Sequence, residues 1–331
     1  MMKAKAVVFT AADKYEIQTL TLAEPGPTDV TVRTVITAIS PGTERWVMRG
    51  KHIGTQFPCI PGYHRIGVVE AVGANVTKLK PGDWVYGSSN RWQEPVKSMF
   101  GAHIAASVGA EGGYDLLSHE PIQYDLAEQI AFSILVAVGN RGVNAADVKP
   151  GQRLLHIGAG IVTLAAAQIA QHRGTESLII DNNPERVAFI RERYPEFTVV
   201  NNAEPGYEEK LKAFAPNGFD VMQDTVGLPA VTDKMIPFMR AQGTLLFQAQ
   251  YFDKERCAVD LDQIKIKELT VKTTCGVRAN DLAEVRNFIR KGWLKVTPCI
   301  THRFTSDNML EAFVLLDKGT PHNLGMVIKW E

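Results

Sequence analysis

The sequence predicts an α/β protein in which a β-rich part is joined to a doubly wound parallel sheet. Three observations carry this expectation. Residues 153–181 read as strand, glycine turn, helix and strand. Beyond residue 126, short apolar runs alternate with helical stretches, the pattern of a parallel sheet covered on both faces. Before it, residues 3–125 are rich in short β runs broken by Gly/Pro turns.

The elements follow in chain order. KAKAVVFT and VTVRTVITAIS are strands, separated by the turn Glu24-Pro25-Gly26-Pro27. A loop and short helix cover Pro41-Gly42-Thr43-Glu44-Arg45-Trp46, and a second loop covers Pro61-Gly62-Tyr63-His64-Arg65. Residues 66–72 form a strand. Pro81-Gly82-Asp83 turns the chain into Trp84-Val85-Tyr86-Gly87, and the polar, aromatic segment 88–99 leads to Phe100-Gly101-Ala102-His103. A helical pattern then runs over 126–140. Later strands are expected at Val199-Val200, Phe219-Asp220-Val221-Met222, Gly243-Thr244-Leu245-Leu246-Phe247 and Leu269-Thr270-Val271-Lys272. Helices are expected at 208–214, 229–239, 281–291 and 308–318, and a last strand over 325–330 returns to the first part. The domain expectation is therefore 1–125 with 276–331 for the β-rich part, and 126–275 for the parallel sheet.

The 153–181 unit carries a dinucleotide fingerprint with one departure. The pattern G-x-G-x-x-G is met by Gly158 and Gly160, but Thr163 takes the third place. The first glycine makes the turn, and the second lets the backbone approach a pyrophosphate seated on the helix N-terminus. The third serves close helix–strand packing, so Thr163 is expected to push the helix outward slightly. Asp181 ends the next strand near the expected separation of about 20 residues, where a carboxylate binds the ribose 2′-hydroxyl. That carboxylate would repel a 2′-phosphate, and Asn182-Asn183-Pro184 adds no immediate cation, so NAD is favoured over NADP. The expected dinucleotide contacts are Gly158, Gly160, Ile161, Val162, Asp181 and Asn182. Thr225 and Val226 end one sheet strand, and Gln248 and Ala249 the next.

Composition bounds the rest. The chain has 331 residues, room for about two domains. Hydrophobic residues make up 45%, enough for large cores. Lys+Arg and Asp+Glu both count 36, so no net basic field invites nucleic acid or an anionic membrane. No apolar run of about 20 residues could span a bilayer, and the N-terminal apolar run is too short for a signal peptide. Cys59, Cys257, Cys275 and Cys299 show no C-x-x-C spacing, so reduced thiols in a cytoplasmic protein are expected rather than a disulfide framework.

The order of parts resembles the medium-chain dehydrogenase/reductase superfamily along essentially the whole chain. The landmarks are Pro61-Gly62, Gly67-Val68-Val69, Val72-Gly73, Pro81-Gly82-Asp83, Gly158-Ala159-Gly160, Asp224-Thr225-Val226-Gly227 and Lys267-Glu268-Leu269. The resemblance implies a GroES-like β-rich catalytic domain, a Rossmann domain and hydride transfer with a nicotinamide cofactor. Relatives bind catalytic zinc with two Cys and one His. Carried over one by one, those places hold Pro41, Tyr63 and, near the third, Ser133. None offers a normal zinc ligand, and the four-cysteine structural zinc loop is missing, so no metal is expected. Gly42-Thr43-Glu44-Arg45-Trp46, Pro61-Gly62-Tyr63-His64-Arg65 and Met99-Phe100-Gly101-Ala102-His103 are more particular. They resemble a branch that includes sugar or cyclitol dehydrogenases, and less fully the bacteriochlorophyllide 3-hydroxyethyl dehydrogenases.

Without zinc, a side chain must move the substrate's hydroxyl proton. Tyr63 is the first candidate, because it stands where the metal-binding His would be. A phenol with an unperturbed pKa near ~10 needs a nearby cation to act as a base, and His64 or Arg65 could supply it. Tyr63 could equally fill the vacated space. His64 could itself be the base. Thr43 holds the hydroxyl position that relays protons in the zinc enzymes. Glu44 could orient His64 or Arg65, or cap its helix. Trp46, Trp92 and His103 are the substrate-side candidates, and the loops around Trp46, 88–99 and 250–257 would shape the pocket for a small-molecule substrate. The resemblance also implies a homo-oligomer, dimer or tetramer. Two other functions stay open: an NADPH-dependent enone or quinone reductase, which Asp181 argues against, and a non-catalytic nucleotide-binding protein.

Overall fold

The computed structural model describes residues 2–251 and 257–330. The chain divides into two compact units, Met1–Ile134 with Cys299–Glu331, and Leu135–Pro298.

The first unit is the β-rich one. Its larger sheet is built on the long strand Asp29–Ile39, which pairs antiparallel with Arg65–Val72, Ala106–Ala110 and Gly325–Lys329. Trp84–Gly87 and Tyr114–Ser118 extend the sheet beyond Arg65–Val72. On the other side Gly325–Lys329 pairs in parallel with Ile300–Thr305. A four-stranded sheet is led by Lys3–Ala11 and Lys14–Thr21. The alternation in KAKAVVFT sorts Val7 and Phe9 into one core with Ile39, Met309, Phe313 and Trp330, and Ala6 and Val8 into another with Leu20 and Ile60. Leaving such side chains in water would cost about 1.5–3 kcal/mol each, and this holds the helix Met309–Lys318 on the sheet.

The second unit is a wholly parallel six-stranded sheet. In spatial order its strands are Thr198–Asn201, Glu176–Asp181, Arg153–Ile157, Phe219–Asp224, Met239–Phe247 and Thr270–Thr273. That is the order 3-2-1-4-5-6 of a Rossmann sheet. The order reverses beside Arg153–Ile157, and the crevice outside the carboxyl ends there is where such sheets take ligands. Leu155, Ile157, Leu178, Ile180, Met222 and Leu245 form the core of one face.

A polar line runs through this sheet. His156 Nδ1 meets Gln223 Oε1 at 2.7 Å and its Nε2 meets Ser177 Oγ at 3.1 Å. Gln223 Nε2 donates to Gln248 Oε1 at 2.5 Å, and Gln248 Nε2 donates to Val138 O and Thr274 Oγ1. Burial holds the His156 imidazole neutral, its pKa lowered to about 4.

The changeovers differ from those expected at 125 and 275. Helix Ala279–Arg290, which buries Leu282, Val285 and Ile289, belongs to the second unit. Behind it, Lys295 N donates to Gln168 Oε1 at 2.9 Å and Gln168 Nε2 returns a bond to Lys295 O at 3.1 Å. These ties keep the chain with the Rossmann unit until Pro298.

Candidate active site

In the Rossmann unit, strand Arg153–Ile157 ends in Gly158-Ala159-Gly160, and helix Ile161–His172 starts at once. Gly158 has φ +93°, and a Cβ there would lie 2.4 Å from Val226 Cγ2, so only glycine makes this turn. Gly160 is the helix N-cap, and no side chain caps the helix. A Cβ on Gly160 would meet no atom within 4 Å, so the space beside that residue is open. Uncapped N–H groups beside an open glycine are the geometry that receives a pyrophosphate. Ile161 and Val162 form the first helical turn.

Thr163 does not spoil the packing. It is fully buried, and its hydroxyl lies 2.8 Å from Thr225 Oγ1. Thr225 donates to Ile157 O at 2.9 Å, so Thr163 is the donor to Thr225. Close approach is carried from the neighbouring helix, where a Cβ on Gly139 would stand 2.6 Å from Val162 O. The expected outward push is therefore absorbed by a hydroxyl pair and a glycine on helix Ser133–Ala146.

Asp181 ends its strand half-buried. Its Oδ2 accepts from Ala159 N and its Oδ1 from Asn183 N, each at 3.0 Å. The carboxylate thus binds the glycine turn itself and keeps lone pairs for a ribose hydroxyl. Asn182 is exposed beside it. Across the switch point, Asp224 Oδ1 accepts from the backbone of Val226 and Gly227, and Tyr251 OH donates to Asp224 Oδ2 at 2.8 Å. This shapes the 225–227 turn. Gln248 departs from expectation: its side chain is spent in the polar line described above and its N–H donates to Asp224 O at 3.1 Å, so of Gln248 only the carbonyl is left to offer a ligand, beside Ala249.

In the first unit, helix Pro41–Met48 and the Pro61-Gly62 turn bring Thr43 and Tyr63 together, with Thr43 Oγ1 2.7 Å from Tyr63 OH. Tyr63 is partly exposed and its ring lies 4.5 Å from that of Phe100. The turn is set by Gly62 at φ +93°, where a Cβ would stand 2.7 Å from His103 Cδ2.

Two expected site residues belong to the support instead. His103 is 0% exposed, so its ring offers no surface to a substrate in this structure. Its Nε2 meets Glu44 Oε2 and its Nδ1 meets Thr37 Oγ1, both at 2.9 Å. Glu44 is likewise buried, and its Oε1 accepts from Ser40 N at 2.8 Å. It orients His103 and closes its helix rather than reaching His64 or Arg65. Trp330 Nε1 donates to Thr37 Oγ1, which extends the same chain.

The remaining candidates separate. His64 lies edge-on to Tyr86 with ring centroids 4.9 Å apart. Arg65 is fully buried and donates to Tyr114 OH, Asn90 Oδ1 and Gly101 O. Trp92 donates to Val96 O at 2.7 Å and packs on the Ala4/Leu20/Leu22 cluster, which makes it a core residue. Trp46 stays half-buried with the Lys51 ammonium 5.8 Å from its ring. Of the loop at 250–257, residues 252–256 lie outside the described residues. Phe100, named above only as part of a motif, stands beside Tyr63; its signal in the sequence was an aromatic residue directly before a glycine.

Comparison with known proteins agrees with both halves. An alcohol dehydrogenase GroES-like domain model matches residues 26–117, and a zinc-binding dehydrogenase model matches 162–291. The chain belongs to the medium-chain dehydrogenase/reductase superfamily. It is thus an alcohol dehydrogenase or reductase of the nucleotide-dependent, medium-chain type. Among similar curated proteins is the L-threonine 3-dehydrogenase of Saccharopolyspora erythraea, 27% identical across 93% of this chain and 94% of that one. Another is the 2-desacetyl-2-hydroxyethyl bacteriochlorophyllide A dehydrogenase of Cereibacter sphaeroides, 24% identical across 99% of each. The solved benzyl alcohol dehydrogenase of Acinetobacter calcoaceticus shares the fold, with a TM-score of 0.84 and 18% identity over 100% of both chains.

The places carried over for the family's zinc ligands, Pro41, Tyr63 and, near the third, Ser133, do not fit that ion. The Tyr63 hydroxyl is paired with Thr43, and Ser133 Oγ donates to Ile130 O at 2.5 Å. Among the described residues, no group of three or more His, Cys, Asp or Glu side chains could hold a metal ion, and no helix is long and apolar enough to cross a membrane.

Proposed function

We propose that this dehydrogenase is NAD-dependent and metal-independent, and acts on a secondary alcohol or its ketone, with sugars, cyclitols and hydroxyethyl tetrapyrroles as the substrate classes to try. The observation that carries the reading is the Tyr63–Thr43 hydroxyl pair, 2.7 Å apart, at the place where relatives hold a metal-binding His. The dinucleotide, when bound, supplies the two-electron acceptor. The chain's own residues supply the proton route. The substrate hydroxyl donates to Tyr63 OH, Tyr63 passes its proton to Thr43 Oγ1, and Thr43 passes one to water. Each hydroxyl gains one proton and gives one, so neither side chain needs to ionise. The Glu44–His103–Thr37 chain fixes the helix and turn that set this distance.

Asp181 supports NAD over NADP, because its carboxylate stands at the ribose end of the fingerprint. Gly158, Gly160, Ile161 and Val162 would receive the pyrophosphate, and the Thr225-Val226 and Gln248-Ala249 backbones would line the remaining length. We take the protein to be cytoplasmic and a homo-oligomer.

The test is a side-by-side titration of purified, metal-analysed protein with NADH and NADPH, followed by a screen of the three alcohol classes. Tight NADH, weak NADPH and turnover without bound zinc are expected. Preference for NADPH would favour the enone reductase. Binding of neither would leave a nucleotide fold whose function lies elsewhere.

A further inference from the structure

We infer that Phe100 is a specificity-determining residue, which with Tyr63 forms an aromatic wall for a flat, conjugated substituent on the substrate's carbinol carbon. The inference rests on the reading of Tyr63 as the proton-transfer residue and adds the class of substrate.

Phe100 is a large apolar side chain left 37% exposed, in a backbone conformation its residue type avoids. Its φ is +72°, and Gly101 follows at +76°. Non-glycine residues in this region are rare, and cluster where a site needs a side chain aimed in a set direction. The surroundings impose the geometry. Ser88 Oγ donates to Phe100 O at 2.6 Å, Asn90 Nδ2 reaches the same oxygen at 3.4 Å, and Arg65 donates to Gly101 O at 2.7 Å. Arg65 also grips Asn90 Oδ1 and Tyr114 OH, each at 2.6 Å. Among the described residues no carboxylate pairs with this buried guanidinium, and its bonds go to the neutral groups that hold the Phe100 segment. The ring so aimed lies 4.5 Å from Tyr63 and 6.2 Å from the His52 ring, distances of aromatic contact.

The chemistry of the wall selects its ligand. Both carbonyls of Phe100-Gly101 are bound inward, and the Tyr63 hydroxyl is committed to Thr43 and the reacting oxygen. What Phe100 itself presents is a ring face that carries no acceptor or donor. A polyol would leave hydroxyls unpaired against it, at a cost, whereas a planar conjugated group would lose nothing.

The experiment compares 1-phenylethanol with myo-inositol as substrates for wild type, Phe100→Ala and Phe100→Tyr, and measures acetophenone binding to the enzyme–NADH complex by calorimetry. Wild type is expected to prefer 1-phenylethanol. Phe100→Ala should raise its KM and weaken acetophenone binding about tenfold or more, with kcat within about twofold and NADH affinity unchanged, while Phe100→Tyr restores the wild-type values. Preference for the polyol, absence of acetophenone binding, or an unchanged KM in Phe100→Ala would each overturn the inference. Tyr63→Phe separates the two claims. If its kcat is unchanged while Phe100→Ala still shifts KM, the proton role fails and the wall stands.

Discussion

The Tyr63 and Thr43 hydroxyl oxygens lie 2.7 Å apart although the residues come from different elements, a turn and a helix. In the proposed function this pair acts as one relay. Replacing Tyr63 with Phe keeps the ring against Phe100 and removes the proton carrier. Turnover should fall ~100-fold or more, with NADH affinity intact by fluorescence titration. Thr43→Val should act in the same direction. Full turnover in Tyr63→Phe would return Tyr63 to packing and move the role to His64.

The second prediction concerns the turn beneath that pair. Gly62 combines φ +93° with a Cβ position 2.7 Å from the buried His103 ring. Gly62→Ala meets both a strained backbone and an overpacked core, each worth roughly 1–3 kcal/mol. Calorimetry should show a clear drop in melting temperature, and turnover should fall further than NADH binding. A variant as stable as wild type would show that the turn relaxes freely.

A third follows from His156. Its folded pKa is lowered from 6.5 to about 4, because burial opposes the charged form. The unfolded chain therefore binds the extra proton first. The stabilising contribution is complete above pH 6.5 and is lost as pH falls through about 4. At 1.36 kcal/mol per unit it amounts to roughly 3 kcal/mol. Melting temperatures from pH 7 to pH 4 should decline less steeply in His156→Gln than in wild type, and parallel curves would refute the assignment.

Cofactor choice gives a fourth. Asp181→Asn removes the negative charge and keeps an acceptor for Ala159 N. The ratio of NADPH to NADH affinity should rise, by about tenfold. A fixed ratio would mean that the discrimination lies elsewhere.

Metal removal gives a fifth. With Pro41, Tyr63 and Ser133 at the ligand places, dialysis against a chelator should leave turnover within about twofold. A loss restored by zinc would show donors that these positions do not reveal.

Much of the fold was legible because it rests on local signals. Period-two alternation marked the strand at Asp29–Ile39, and the 153–181 pattern marked the start of the parallel sheet. Glycine turns such as Gly62 and Gly158 were visible for the same reason. What was not legible depends on long-range partners. His103 reads as a free imidazole until Glu44 and Thr37 close on it from distant positions. Gln248 reads as a strand-end amide until Val138 and Thr274 claim it. Arg65 reads as a cation for its neighbour Tyr63, but strand geometry turns it toward Tyr114 and Gly101. Phe100 stood in a named motif but carried no site role, because its left-handed φ is something no composition rule announces.

The polar line through the Rossmann sheet has a bearing on how that sheet finds its register. Apolar parallel strands such as Leu154–Ile157 and Val221–Met222 offer one another near-equivalent partners at several offsets. His156 and Gln223 are direct neighbours in the pairing, and Ser177 and Gln248 complete their bonds. Slipping one strand by a single residue would send these groups to opposite faces and leave buried donors and acceptors stranded in hydrocarbon. The line therefore acts as a key that admits one alignment, at the expense of an acid-sensitive interior.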